Sequence, residues 1–318
     1  MPRLPLLVAL IACLVACGRP GSTAPLAFVS NEDGDTVSVL DTTTDEVIET
    51  IEVGNRPRGI RSGPDGRTIY VAVGSEDAIA TIDVASREVT GTVPGGSDPE
   101  HFDVHPSGDR LYVSNEEANT ATAVSLPEGE ILAEVRVGIE PEGVRVSPGG
   151  EWAYVSGETS NSISVMATDS NEVVKTLRVG RRPRAIDFTP DGSRAYVTGE
   201  ARGVVTVIDA STHTVVDTME VGATAAPVGV RVGPNGERVY VALSGGDAVG
   251  VFDASSGETI RRVPVGARPW DVDLTPNGSK LYAACGLSNA VSVIDTEALE
   301  VISTVEVGAG PWGVAVAE

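Results

Sequence analysis

The sequence predicts an all-β protein, a seven-bladed propeller of four-stranded antiparallel blades whose ring is closed by pairing the N- and C-terminal strands. Three observations point there. An aromatic recurs at Phe28, Tyr70, Tyr112, Tyr154, Tyr196, Tyr240 and Tyr282, 42 residues apart except for one step of 44. A fixed period in this range marks a repeat architecture. Each repeat holds four short alternating runs rich in Val and Ile, which read as strands, and no helical period follows the N-terminus. The chain also carries seven of these aromatics but only six first-hairpin turns, opened by Pro64, Pro106, Pro148, Pro190, Pro234 and Pro276. One blade must therefore be assembled from the two ends.

Residues 1–16 hold one charge, Arg3, and an apolar run of 13 residues over 4–16. That run is short for a bilayer span and suits a secretory signal. It ends Leu14-Val15-Ala16-Cys17, which resembles a bacterial lipobox, with Cys17 as the acylated residue; Leu10-Ile11-Ala12-Cys13 also fits but shortens the run. Residues 17–25 are small, polar and Pro-containing, the composition of a lipidated Cys with its tether. The propeller then occupies 26–318. The expected location is extracytoplasmic, periplasm or cell surface, with membrane contact only through the lipid anchor.

In the repeat that starts at Pro183, the four runs are 185–189, 195–198, 204–209 and 215–221. Pro190-Asp191-Gly192 turns the first hairpin, because Gly supplies the positive φ a tight turn needs. Four-stranded units repeated radially are propeller blades. At the C-terminus, 310–316 is a first strand without a second, and 27–29 is a second strand without a first. Pairing them completes the seventh blade and removes a free sheet edge. A closed ring of this kind is expected to be a monomer.

Composition excludes several classes. The chain has 45 acidic against 23 basic residues and a net charge of −22, which argues against nucleic acid and anionic membrane surfaces as partners. Cys285 is the only thiol beyond Cys13 and Cys17 and reads as a small buried residue. Neither a haem-attachment Cys-x-x-Cys-His, nor a Walker loop, nor a Gly-x-Ser-x-Gly elbow occurs.

The Tyr-Val pairs at Tyr112-Val113 and Tyr154-Val155 and the Val-Ile-Asp ends at Asp209 and Asp295 resemble YVTN-repeat β-propellers. The inter-blade series is more particular. Arg56-Pro57-Arg58-Gly59, Asp98-Pro99-Glu100, Glu140-Pro141-Glu142-Gly143, Arg182-Pro183-Arg184, Pro227-Val228-Gly229, Trp270 and Pro311-Trp312-Gly313 resemble the propellers associated with pyrroloquinoline quinone (PQQ)-dependent catabolism. The resemblance covers 27–318. It implies a non-catalytic periplasmic accessory near quinoprotein oxidation.

Propeller geometry sorts the sequence into rings, because first strands line the central channel. Their middle positions read Arg61, Asp103, Arg145, Asp187, Arg231, Asp273 and Ala315. Six charges alternate in sign, and Ala fills the seventh place, where an odd ring would set like charges side by side. The ring reads either as a belt of inter-blade ion pairs or as an ion site. One step toward the mouth, the residues after each Pro are Arg58, Glu100, Glu142, Arg184, Val228, Trp270 and Trp312, charged on one side and apolar on the other. Glu32, Glu116, Glu158 and Glu200 are expected on the same face. Aromatic walls with a few convergent polar groups are the default binding site, although Arg58 with Glu100 and Glu142 with Arg184 also suit simple pairing across blades.

His101 stands in this mouth where several blades place Gly. With Glu100 and Glu142 it is the only candidate for a propeller lyase or lactonase base. The expectation is nevertheless a non-catalytic binding module with no catalytic residue, whose partner or ligand sits on Arg58, Glu100, His101, Glu142, Arg184, Trp270 and Trp312. Three occupants are considered: a protein partner first, then a cationic or metal-bridged small molecule, then free PQQ stacked on the indoles with its carboxylates on Arg58 and Arg184. A divalent cation is the other cofactor considered. A surface interaction protein with no small ligand is a further alternative.

Overall fold

A computed structural model describes residues 25–317. The proposed signal peptide and Cys17 lie outside them. The described chain forms 28 strands in seven four-stranded antiparallel sheets, a seven-bladed propeller. Blade 1 has the order Pro311–Ala317, Leu26–Asn31, Thr36–Asp41, Glu46–Glu52. Its two chain ends pair antiparallel from Leu26↔Ala317 to Asn31↔Pro311, and so close the ring. The inner strands of blades 2 to 7 are Pro57–Ser62, Pro99–Val104, Pro141–Val146, Pro183–Phe188, Pro227–Val232 and Pro269–Leu274.

The strand sequences follow from packing on two sides. Second and third strands lie between neighbouring blades, so Val204–Asp209 and Arg238–Leu243 are buried along nearly their whole length. The outer strand Glu300–Glu306 faces solvent on one side and alternates. Burying a side chain such as Phe28, which is wholly inaccessible, contributes about 1.5–3 kcal/mol.

The period-setting tyrosines bolt blades together, since a buried phenol needs a partner for its hydroxyl. Tyr112 donates to Thr168 O at 3.1 Å, Tyr196 to Ala254 O at 2.8 Å and Tyr282 to Asp45 Oδ1 at 2.7 Å, each across to the following blade. Tyr154 meets His213 Nδ1 at 2.7 Å. His213 also receives the edge of Trp152 at 4.5 Å, so this Trp is half-covered rather than free on the surface. Cys285 is fully buried. Gly192 turns its hairpin at φ 69°.

The six charged mid-strand residues meet around the channel. Arg145 reaches Asp103 at 3.4 Å and Asp187 at 2.9 Å; Arg231 reaches Asp273 at 2.7 Å and Asp187 at 3.9 Å; Arg61 lies 3.9 Å from Asp103. The aspartates also act as inter-blade staples. Asp103, Asp187 and Asp273 accept the N–H of Val146, Val232 and Val316 in the next blade at 2.8, 2.7 and 2.9 Å. The belt divides the channel into two cavities, one opening on the hairpin face and one on the inter-blade face.

Candidate functional site

Every inner strand breaks register at its mouth end, at the residue after the Pro. Bulges re-aim side chains, and here they turn Arg58, Glu142, Arg184, Val228, Trp270 and Trp312 onto the mouth and leave Glu100 buried behind them. A hydroxyl from the preceding blade clamps four of these residues by the carbonyl. Ser30, Ser114, Ser156 and Thr198 donate to Arg58 O, Glu142 O, Arg184 O and Val228 O at 2.6–2.7 Å. The equivalent positions facing Glu100, Trp270 and Trp312 are Ala72, Ala242 and Ala284. In those three strands pairing resumes one residue nearer the mouth, at His101, Asp271 and Gly313.

That register position forms a ring of its own: Gly59, His101, Gly143, Ala185, Gly229, Asp271 and Gly313. Among these seven only His101 and Asp271 carry functional side chains. Both are buried, 8 % and 7 % exposed, and both line a mouth cavity of about 480 Å³. At Gly59, Gly143, Gly229 and Gly313 an added Cβ would meet atoms of the next blade, backbone among them, within 3 Å, so close packing of the blades requires glycine there.

Arg61 lies between the two. Its Nη2 is 2.9 Å from His101 Nε2, and its Nη1 is 3.8 Å from Asp271 Oδ2. Blade 1 contributes only Ala315 at the belt level, so Arg61 has no aspartate there and turns to the mouth instead. Guanidinium N–H groups can only donate, so His101 Nε2 accepts and a neutral ring carries its proton on Nδ1. That nitrogen has no hydrogen-bond partner among the described residues. Burial first, then the Arg61 charge, hold the His101 pKa well below the usual imidazole range. Burial pushes the Asp271 carboxyl up, with Arg61 and Arg231 opposing. The Arg61 guanidinium falls to about 10 through burial and the neighbouring Arg231 and Arg145 charges.

Two carboxylate–guanidinium networks occupy one side of the mouth. In the first, Arg58 bonds Glu32 at 2.6 Å and also Glu100, while Arg56 bonds Glu100 at 2.7 Å and Asp98 at 2.5 Å. Glu100 is completely buried. In the second, Arg184 bonds Glu142, Glu158 at 2.9 Å and Glu200 at 2.9 Å, and Arg182 bonds Glu158 at 2.7 Å. Short 3-10 turns, Glu32–Gly34 and Glu200–Arg202, deliver two of these carboxylates. Burial raises Glu142 to about 8, opposed by Arg184 and reinforced by Glu158. Glu116 rises to about 7 through burial and its hydrogen bond with Glu100.

The other side is aromatic. Trp270 and Trp312 lie nearly parallel, 22° apart with centroids at 6.4 Å, and Trp312 is 6.2 Å from the His101 ring. The Arg268 guanidinium sits 4.5 Å over Trp270 and has no carboxylate within 4 Å among the described residues.

The sequence reading placed Arg58, Glu100, His101, Glu142, Arg184, Trp270 and Trp312 together; six of them line the mouth cavity, and Glu100 is buried behind it against Arg56 and Arg58. Arg58 and Arg184 are not open forks, however. Both are saturated by glutamates, so the pose that laid PQQ carboxylates on them has no free guanidinium to use. His101 is not poised as a base, since Arg61 occupies its acceptor nitrogen. The sequence reading missed Asp271 and Arg268. Asp271 could have been found, because it shares the position where His101 interrupts a series of glycines. A carboxylate triad, Asp98, Glu100 and Glu116, has oxygens within 4.8 Å of one another; Arg56 and Arg58 already hold two of its members, so a divalent cation there would compete with guanidiniums.

A protein-family model described as "Lactonase, 7-bladed beta-propeller" matches residues 23–136 and 172–301, well over half of the chain. No curated protein matches. Among solved structures, a functionally unknown protein from Desulfotomaculum acetoxidans is similar at TM-score 0.81, with 18% identity over 93% of this chain and 99% of that one. A putative 6-phosphogluconolactonase from Bacteroides fragilis is similar at TM-score 0.78, with 16% identity over 95% and 100%. Hydrazine synthase of Kuenenia stuttgartiensis is similar at TM-score 0.76, with 23% identity over 85% and 92%. At these identities the structural likenesses establish the propeller fold alone. The family match overturns the expectation of a non-enzyme. That expectation failed because it looked for several histidines at one mouth, whereas this mouth pairs a single His with an Asp through an Arg.

Proposed function

We propose, on the premise that this chain belongs to the lactonase family of seven-bladed β-propellers, that it is a hydrolase opening a lactone ring in the channel mouth. The observation that carries the reading is the pair His101 and Asp271, the only functional side chains on a ring otherwise made of Gly and Ala. Asp271 is the general base. Burial raises its affinity for a proton, which makes it a stronger base than an exposed carboxylate. It takes a proton from water as the water oxygen bonds to the lactone carbonyl carbon. The oxyanion so formed lies against His101, whose Nδ1–H is buried without a protein partner and reaches it when the ring tilts toward the substrate. Arg61 fixes that tautomer from below and is a positioning residue. Collapse breaks the bond from the carbonyl carbon to the ring oxygen, and the protonated Asp271 returns its proton to the leaving alkoxide. One water is consumed and one hydroxy acid is formed.

Removing a donor from a preorganised oxyanion site costs about 10²–10³ in kcat. His101→Ala is expected to fall by that factor, and Asp271→Asn at least as far. Acid release from a panel of γ- and δ-lactones in a pH-stat tests this. No turnover by the wild-type protein, or unchanged rates in both variants, overturns the assignment.

A separate proposal concerns location. Residues 1–16 form a lipoprotein signal, Cys17 is acylated, 17–25 tether the propeller, and the enzyme works outside the cytoplasm. It rests on the sequence Leu14-Val15-Ala16-Cys17 after an apolar run. Cys17→Ser is expected to move the protein from the membrane to the soluble fraction, and retention on the membrane refutes it. The finer likeness to PQQ-associated propellers makes a periplasm that oxidises alcohols and sugars the setting we favour.

A further inference from the structure

We infer that the substrate is an uncharged polyhydroxy lactone and that the mouth discriminates against a phosphorylated one; this deepens, and rests on, the lactonase reading above. A phosphate dianion needs donors and positive charge. In the two networks every guanidinium is already bridged to carboxylates, Arg58 by Glu32 and Glu100, Arg184 by Glu142, Glu158 and Glu200. Carboxylates outnumber guanidiniums in both networks, and Asp33 and Asp271 add to the cavity lining. With the proton that Glu142 holds near neutral pH the second network is balanced, two ionised carboxylates to two guanidiniums, while Glu32, Asp98 and Glu100 keep the first acidic against Arg56 and Arg58. Among the described arginines that line the cavity, only Arg268 is free of carboxylates, and it is stacked on Trp270.

The same groups suit an uncharged sugar lactone. Ionised carboxylates are acceptors only; sugar hydroxyls donate to them, whereas phosphate oxygens meet them acceptor to acceptor. The near-parallel Trp270 and Trp312 offer an apolar wall for the C–H face of a six-membered ring. That wall ends at His101, 6.2 Å from Trp312, so a ring stacked on it brings its carbonyl toward the imidazole. The cavity of about 480 Å³ falls within the usual range for small-molecule sites, about 300–1,000 Å³.

Two readouts test this on the intact propeller. One is kcat/KM for glucono-δ-lactone and for its 6-phosphate, at low and high salt. The other is quenching of tryptophan fluorescence by the non-hydrolysable glucono-δ-lactam and its 6-phosphate. The uncharged lactone is expected to be preferred at least tenfold, with the gap narrowing at high salt as repulsion is screened. Glu158→Gln, which removes one of three carboxylates from Arg184 and the 2.7 Å partner of Arg182, is expected to narrow it as well. The wild-type comparison stands even if that variant does not fold. Equal or better use of the phosphorylated lactone, or equal quenching by the two lactams, overturns the inference, and so does a failure of both lactams to quench. If neither lactone is opened but the uncharged lactam alone quenches, the hydrolase reading fails and the ligand class stands.

Discussion

Asp187→Asn probes the channel belt with the loss of a single charge. Asp187 is 4 % exposed. One oxygen accepts from Arg145 at 2.9 Å and faces Arg231 at 3.9 Å; the other accepts the Val232 N–H at 2.7 Å. Asparagine keeps the shape but has one oxygen. If that oxygen stays on Val232, the amide NH₂ points at the Arg145 guanidinium, donor against donor. If the amide flips, the buried Val232 N–H is orphaned. Leaving a buried donor unsatisfied costs about 1–3 kcal/mol, and breaking a buried ion pair from one side about 3–5 kcal/mol. Arg145 and Arg231 keep Asp103 and Asp273 as second partners, so the lower part of that span applies, roughly 2–4 kcal/mol. At about 2–4 °C per kcal/mol for a large domain, thermal melting should shift down by roughly 4–16 °C. A shift under about 1 °C at low salt would show that the belt is decorative and that water or relaxation absorbs the missing charge.

Other outcomes can be checked with the same protein. Deleting 310–318 removes the inner strand of blade 1 and exposes two edges, so it should abolish cooperative melting, whereas deleting 18–24 should leave the melt unchanged. Glu142 and Glu116 bind protons more tightly folded than unfolded. Stability contributed by their neutral forms is therefore lost as pH rises from the ordinary carboxylate range toward about 8, because the native state is then the one binding more protons. Glu142→Gln should flatten the melting temperature between pH 5 and pH 8.5; an unaltered slope would count against the raised pKa.

Much of the frame could be read from local chemistry. The tyrosine period, the Pro-x-Gly hairpins and the two unmatched ends fix blade number and closure, because each is a short local pattern whose repetition, or absence at the ends, can be counted along the chain. The mouth was legible as a set of residues but not as a set of contacts. Whether Arg58 is an open fork depends on Glu32, 26 residues earlier and carried on a 3-10 turn in another blade. The bulge after each Pro brings Asp271 into the cavity, and an alternating Asp-Val-Asp run conceals that, because both aspartates look like belt members. The register difference between Asp271 and Gly229 traces to Ala242 and Ser/Thr clamps in neighbouring blades, a pairing visible only once the blades are packed.

The belt behaves like an antiferromagnet on a ring with an odd number of sites. Strict alternation cannot be satisfied, and one site must be frustrated. Here the frustration falls on blade 1, where Ala315 stands in place of a charge, and it leaves Arg61 with a valence unfilled on that side. That unfilled valence is what meets His101 at 2.9 Å and turns toward Asp271 at 3.8 Å. In a ring of six or eight such blades each arginine would sit between two aspartates, and nothing would hold the imidazole in one tautomer. The asymmetry that chemistry requires is thus supplied by parity. Introducing Ala315→Asp should draw Arg61 back into the belt, release His101 and lower lactone turnover, at a cost in stability because the new carboxylate is buried beside Asp273.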